Sequence, residues 1–97
     1  MQKQAILINI NDNVATTVTS LKKGSTVNFF AEQQIKSITL NSDLPFGHKF
    51  AIKDIPPGEN IIKYGESIGT ATTLIKCGEH VHVHNMVSNR GRGDLNK

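Results

Sequence analysis

The sequence has no tryptophan, one tyrosine and one cysteine among its 97 residues. A single cysteine excludes an internal disulfide framework, and Cys77 is therefore typical of a protein kept in a reducing compartment, so we expect a cytoplasmic location. No apolar run approaches the roughly 20 residues that a membrane-spanning helix needs. The apolar stretch Ala5–Ile10 has the length of a strand and is too short for a secretory signal. We therefore expect neither a disulfide-rich secreted scaffold nor a membrane protein.

Runs of basic residues are also missing. Lysine and arginine number 11 against eight acidic residues, a net charge of +3, and only 5% of residues are aromatic. Basic runs with interleaved aromatic residues are the pattern of nucleic-acid binding. Since neither is present, we predict no nucleic-acid partner. The small positive surplus fits a small anionic substrate, and it fits ordinary solubility equally well.

No segment has the periodicity of an amphipathic helix longer than two turns, whereas β-branched residues are frequent, so the sequence predicts a mostly β domain. One turn pattern recurs: an aliphatic residue, two turn residues, glycine, two polar residues and another aliphatic residue. The glycine supplies the positive φ angle that a tight turn requires. We expect three such strand-turn-strand corners, at Leu21–Val27, Ile55–Ile61 and Ile75–Val81.

Strands are also predicted at Ala5–Ile10, at Val14–Val18 and at His48–Ile52, and a hairpin is predicted to pair Val27–Phe30 with Ser37–Leu40. Apolar periodicity ends after Asn85. We therefore expect residues 1–87 to form one domain and residues 88–97 to form a flexible tail rich in arginine and glycine.

Three histidines, His80, His82 and His84, alternate with Val81 and Val83. On a strand this period of two puts the histidines on one face and the valines on the core face. Neighbouring histidines would lie about 7 Å apart and the outer pair about 13 Å apart. Two adjacent imidazoles could then hold one metal ion if the strand bends, but all three could not on a straight strand. A polar exposed face and a contact with a partner chain are the alternatives.

Four blocks follow one another and cover most of the sequence: Asp12–Ala15, Gly47–Ile55, Gly58–Glu59 with Ile62–Gly69, and Gly78–Asn85 with the following Arg90–Asp94. Together they resemble the altronate dehydratase family of sugar-acid dehydratases. The blocks with the histidines resemble the small subunit of sulfolactate sulfo-lyase as well. The resemblance implies an SAF-type fold, a β-clip of short strands, in agreement with the prediction of a mostly β domain.

In function, the resemblance implies the small subunit of a metal-dependent hydro-lyase that converts an altronate-type hexonate to a 2-keto-3-deoxy acid. A separate large catalytic subunit would complete the enzyme, and we expect this chain to be inactive alone. The implied cofactor is a divalent metal, Fe²⁺ or Mn²⁺, held by this chain or mainly by the large subunit. A non-catalytic module that binds sugar acids or other anions is the alternative, as is a sulfolactate sulfo-lyase small subunit. A homo-oligomer through exposed strand edges is left open.

Dehydration of a hydroxy acid needs a base, a group that holds the carboxylate, and an acid for the leaving oxygen. For the reaction itself the candidates are His48 as acid or base, Lys49 for the carboxylate and Tyr64 as proton donor. Because consecutive residues on a strand point to opposite faces, His48 and Lys49 reach one site only at a turn or strand start. The candidate metal ligands are His80, His82 and His84, and the candidate substrate-binding residues are Lys63, Asn85, Arg90 and Arg92.

Overall fold

Short antiparallel strands make up nearly all of the regular structure. The computed structural model describes residues 4–89, and within them no helix is long and apolar enough to cross a membrane. The prediction of a mostly β domain is confirmed. The strands are β1 (Ala5–Ile6), β2 (Val14–Thr17), β3 (Thr26–Ala31), β4 (Gln34–Thr39), β5 (Lys49–Ala51), β6 (Asn60–Lys63), β7 (Glu66–Ala71), β8 (His80–Val81) and β9 (Met86–Ser88).

A four-stranded sheet in the order β1-β2-β5-β8 lies at the centre, and the hairpin β3-β4 and the sheet β6-β7-β9 complete the fold. In the central sheet Phe50 pairs with His80, and Lys49 pairs with Val81. Residues that face each other across an antiparallel ladder share one face of the sheet. Phe50 and His80 therefore lie on one face, while Lys49 and Val81 lie on the other.

Each face of the central sheet carries its own hydrophobic cluster. The first cluster joins the sheet to the hairpin β3-β4, where Phe29 meets Phe50 edge to face with ring centroids 6.1 Å apart. The second joins the sheet to β6 and β7 and includes Ile61, Ala71 and the fully buried Val81. Burial on both faces fixes the register of the central strands, because a slip by one residue would exchange the faces of every side chain.

Residues 4–89 contain four glycine corners of this pattern where the sequence predicted three. The fourth is Leu44–Phe50, in which Gly47 has a φ of 81°. The corners pair through isolated bridges: Leu21 with Leu44, and Ile55 with Ile75. The fourth corner escaped the prediction because it closes on an aromatic residue, Phe50, instead of an aliphatic one. His48 lies in this fourth corner.

Other predictions need smaller corrections. The strand predicted at Ala5–Ile10 ends at Ile6, since Asn9 and Asp12 close a turn in which Asp12 N donates to Asn9 O at 3.0 Å. The predicted hairpin is confirmed, but its loop is shorter than the predicted Ala31–Lys36: it has two residues, 32–33, and β4 starts at Gln34. Ser88, where the predicted tail begins, belongs to β9 and pairs with Gly69. Residues 90–97 lie outside the described residues.

A candidate active site formed by histidines and lysines

The histidine stretch is a bend, and the prediction of one continuous strand is wrong. Strand β8 ends at Val81, and a turn follows in which the backbone N–H groups of Asn85 and Met86 both donate to His82 O, each at 3.1 Å. Val81 is fully buried as predicted, but Val83 is 78% exposed at the tip of the turn instead of facing the core. The spacing expected for a straight strand therefore does not apply.

Asn85 is the cause of the bend. Its side chain is 1% exposed; its Nδ2 donates to His80 O at 2.8 Å and its Oδ1 accepts from His82 N at 3.0 Å. The amide thus pairs with the backbone of both histidines as a neighbouring strand would. Nδ2 also donates to Glu79 Oε2 at 3.3 Å. The amide of Asn85 is thus buried and bonded within the domain, and its predicted role in substrate binding stays a prediction.

His48, which lies in the fourth corner, contacts the bent segment. Its Nδ1 lies 2.9 Å from His80 Nε2, a hydrogen bond in which one ring donates and the other accepts. The ring of His82 lies 5.1 Å from that of His48 and stacks on that of His80 at 5.4 Å, and the ring of His84 packs against His80 at 5.6 Å. These four rings form the histidine cluster.

Three members of the cluster, His48, His80 and His82, are arranged to share one ion. Their ring nitrogens lie within 4.8 Å of one another. This histidine trio differs from the predicted set, since His48 takes the place of His84. Imidazole nitrogen is a common ligand of divalent transition metals. The chemistry of this donor set fits a divalent metal ion, and the Fe²⁺ or Mn²⁺ cofactor stays a prediction.

Charge and burial keep His80 in the neutral form. Its pKa is lowered to about 4, first by burial and then by the neighbouring charges of His48, His82, His84 and Lys49. A neutral imidazole has a free lone pair, and only this form ligates a metal ion. At neutral pH His80 is therefore ready to bind a metal ion without first losing a proton.

Two lysines lie on the other face of the central sheet. Lys49 pairs with Val81 and is half-buried, and its pKa is lowered first by burial and then by the positive charge of Lys63. Lys63, at the end of β6, holds its Nζ 5.0 Å from the centroid of the Tyr64 ring. In the described part of the chain neither ammonium group has a carboxylate partner. The pair can therefore attract an anion.

Tyr64 lies in the two-residue turn between β6 and β7, where its φ is 62°. The buried carboxylate of Asp12 holds this turn: it accepts from Tyr64 N at 3.2 Å and from Gly65 N at 2.8 Å. Asn13 secures the preceding strand by accepting from Ile62 N at 2.8 Å. The tyrosine ring is 57% exposed, so its hydroxyl is open to a ligand.

Most of the predicted site residues thus form two neighbouring groups. The histidine cluster contains four of them, and Lys49, Lys63 and Tyr64 form the second group. The link between the groups is electrostatic: the charge of Lys49 contributes to the lowered pKa of His80. Arg90 and Arg92 lie outside the described residues. Sequence reasoning missed the supporting roles of Asp12, Asn13 and Glu79, for which the only signal was their place in the family blocks.

Comparison with known proteins connects this geometry with a family of lyases. The family model described as the altronate/galactarate dehydratase SAF domain matches residues 3–89. The altronate dehydratase of Escherichia coli is 43% identical over 86 residues, and that of Bacillus subtilis is 37% identical over 87 residues. These matches cover 89% and 90% of this chain but 17% of each relative. The chain therefore spans about a sixth of the length of these dehydratases.

A second kind of relative has a shorter match. The (2R)-sulfolactate sulfo-lyase subunit alpha of Chromohalobacter salexigens is 49% identical over 47 residues, which are 48% of this chain and 50% of that subunit. The subunit alpha of Paracoccus pantotrophus is 42% identical over 53 residues, 55% of this chain and 79% of that subunit. Both kinds of relative are named as lyases or as lyase subunits.

Proposed function

The chain belongs to the altronate/galactarate dehydratase SAF domain family, and from this premise we propose that it serves a hydro-lyase acting on a sugar acid. The substrate would be an altronate-type hexonate and the product a 2-keto-3-deoxy acid. One observation carries the proposal: in a domain of this family, His48, His80 and His82 turn their ring nitrogens to within 4.8 Å of one another.

The histidine trio would hold a divalent metal ion, Fe²⁺ or Mn²⁺. The lowered pKa of His80 supports this assignment, because the ring needs no deprotonation before it binds. A bound ion would act as a Lewis acid that stabilises negative charge developing on the substrate carboxylate. This assignment moves His48 from the predicted role of acid or base to that of a ligand, and moves His84 out of the ligand set.

The remaining groups supply binding and proton transfer. Lys63, with no carboxylate partner in the part of the chain that the structure describes, would hold the substrate carboxylate. Lys49 would take the proton from the carbon next to that carboxylate, since its lowered pKa raises the fraction of free amine. His84, on the outside of the cluster, would give a proton to the departing hydroxyl. Tyr64 would line the lysine side and provide a further donor.

The histidine cluster and the lysine group lie on opposite faces of the central sheet, so we propose a larger catalytic chain as the partner that completes the active site. The histidine cluster is open, with His82 and His84 exposed. In the altronate dehydratases the matched segment is 17% of the protein, and in the sulfo-lyases it lies in a component named subunit alpha. Both facts support a module that works with a much larger polypeptide. The proposal includes a cytoplasmic location and inactivity of the chain alone. A role restricted to sugar-acid or anion binding is the alternative.

A sulfo-lyase is the second candidate. It is favoured by the 49% identity to a (2R)-sulfolactate sulfo-lyase subunit alpha, although over 47 residues only. Sulfolactate and altronate are both hydroxy acids, and in both reactions a proton and a group on the neighbouring carbon leave. The same lysines and histidines would serve either substrate, so the assay has to distinguish the two.

Complementation in trans tests the proposal. The Escherichia coli altronate dehydratase would be made without its matched segment, and this chain would be added as a separate protein with Fe²⁺ or Mn²⁺. Altronate, galactarate and (2R)-sulfolactate would be offered in parallel. We expect the mixture to convert one of the three substrates, and we expect neither component alone to do so. Chelation of the metal should abolish turnover.

Equal turnover with His48→Ala and His80→Ala variants would refute the catalytic role of the cluster. Binding of an aldonate without any turnover would favour the binding module.

A further inference from the structure

The buried amide of Asn85 contacts the backbone of two of the three proposed ligands. Its Nδ2 donates to His80 O at 2.8 Å, and its Oδ1 accepts from His82 N at 3.0 Å. Its backbone N–H also donates to His82 O at 3.1 Å. A single residue therefore fixes both the end of β8 and the start of the turn that swings His82 back beside His80.

Glu79 fixes which end of this amide donates. Its Oε2 accepts from Asn85 Nδ2 at 3.3 Å, and its Oε1 accepts from Lys76 N at 3.0 Å. An amide rotated by half a turn would place its oxygen against the carboxylate and against His80 O, which is unfavourable for both. The orientation that serves both histidines is thus the favoured one.

We propose that Asn85 is a positioning residue for the histidine trio: it does not contact the metal ion itself, and it sets metal affinity by holding His80 and His82 against His48. The inference rests on the proposed function for the metal and goes beyond it by naming the residue that preorganises the site. Mutation of a group that holds a metal ligand in position commonly lowers the metal affinity 10–100-fold. We expect a loss of about that size when the amide is removed.

A second buried amide provides a matched control. Asn13 is 6% exposed, and it too bonds strand backbone at both ends, donating to Asn60 O at 2.9 Å and accepting from Ile62 N at 2.8 Å. Those bonds secure β6 and touch no histidine. Asn13→Ala therefore removes the same chemistry, and we expect a similar loss of stability, without changing the histidine trio.

The experiment is a Co²⁺ titration of the full chain, followed by the visible absorption of the bound ion, for the wild type, Asn85→Ala, Asn85→Asp and Asn13→Ala. Circular dichroism would confirm that each variant is folded at the temperature used. We expect Asn85→Ala and Asn85→Asp to weaken Co²⁺ binding 10–100-fold, since the aspartate retains the acceptor but has no donor for His80 O. Asn13→Ala should bind as the wild type does. Equal affinity of the Asn13 and Asn85 variants, whether retained or lost, would overturn the proposal.

A second readout needs no metal. The imidazole proton shared by His48 and His80 should be protected from exchange and visible by ¹⁵N-edited NMR in the wild type and in Asn13→Ala, and should be lost in Asn85→Ala. If the wild type binds no Co²⁺ but shows this pattern, the metal role of the proposed function fails while the positioning role of Asn85 stands. A signal missing from the wild type, or one that persists in Asn85→Ala, contradicts the positioning role.

Discussion

His48 Nδ1 and His80 Nε2 lie 2.9 Å apart although 32 residues separate them in the sequence. The contact joins the fourth corner to the end of β8, where Phe50 and His80 face each other across the ladder. His48 is two residues before Phe50 and therefore points to the same face. A single pairing of short strands thus creates the centre of the site.

The first prediction is that His80 reduces stability at acidic pH. Its pKa is about 4 in the folded chain, against about 6.5 when unfolded. Because the unfolded chain takes up this proton first, the stabilisation is complete above the unfolded value and declines as the pH falls from about 6.5 to 4. For a partly exposed ring we expect a loss of about 1 kcal/mol.

Urea unfolding of the metal-free protein at pH 7.5 and pH 4 measures this effect. Carboxylates also titrate in the range, so the comparison is between the wild type and His80→Gln, which has no proton to gain there. The stability difference between the two should shrink or reverse toward low pH. Parallel pH dependence of both proteins would show that His80 titrates normally.

The second prediction concerns the backbone conformation of Tyr64. Its φ of 62° lies in the left-handed region. This conformation is unfavourable for most residues other than glycine, and asparagine tolerates it better than tyrosine does. Tyr64→Asn should therefore stabilise the chain by about 0.5–1 kcal/mol. It should also lower turnover of the reconstituted enzyme, because the ring beside Lys63 is lost. Urea unfolding and the complementation assay give the two values.

Glu32 is the matched control, since its φ is 59° in the equivalent two-residue loop between β3 and β4. Glu32→Asn should stabilise the chain by a similar amount and leave turnover unchanged. If Tyr64→Asn has the same profile as Glu32→Asn, the tyrosine is only a loop residue and its proposed role is wrong.

Some parts of this fold could be predicted from local sequence signals, and others depend on tertiary packing. The β class, the hairpin that pairs Val27 with Ile38 and the glycine corners follow from local signals, namely β-branched residues and glycine spacing. The bend after Val81 could not be predicted, because alternation of polar and apolar residues continues through it. What decides the bend is the side chain of Asn85, buried by tertiary packing, which takes the place of a neighbouring strand.

The candidate residues were mostly identifiable by type and by family block, but their partners were not. Joining His48 to His80 requires the register of β5 with β8. That register follows from burial on both faces of the central sheet, which no local pattern encodes. The same register explains why Lys49 lies on the other face from His48, a separation that alternation along a strand predicts once the strand is known.

Gly78 gives the third prediction, on the packing of the corners. A Cβ at this position would lie 2.3 Å from Thr39 O, and φ is 89°. Gly58 has nearly the same φ, 87°, but nothing within 4 Å of its Cβ position. Gly58→Ala should therefore cost about 1–2 kcal/mol from backbone strain alone. Gly78→Ala should cost at least about 2 kcal/mol more, because backbone must move. Equal costs in urea unfolding would mean that the corner at Gly78 is not packed against β4.

The last prediction concerns the lysine pair, which we propose binds the substrate carboxylate and removes the adjacent proton. In the complementation assay Lys63→Gln should raise KM at least about tenfold, because it removes a charge that acts on the bound anion. Lys49→Gln should instead lower kcat, since an amide cannot accept the proton.

Lys53, an exposed lysine on the segment after β5, is the control, and Lys53→Gln should leave both KM and kcat unchanged. Removing Lys63 also removes one cause of the lowered pKa of Lys49, so the rising, acidic limb of the pH–rate profile, which reports the pKa of the base, should move to higher pH in Lys63→Gln. If all three variants change KM alike, the pair acts only through net charge, and the separate roles of Lys49 and Lys63 are wrong.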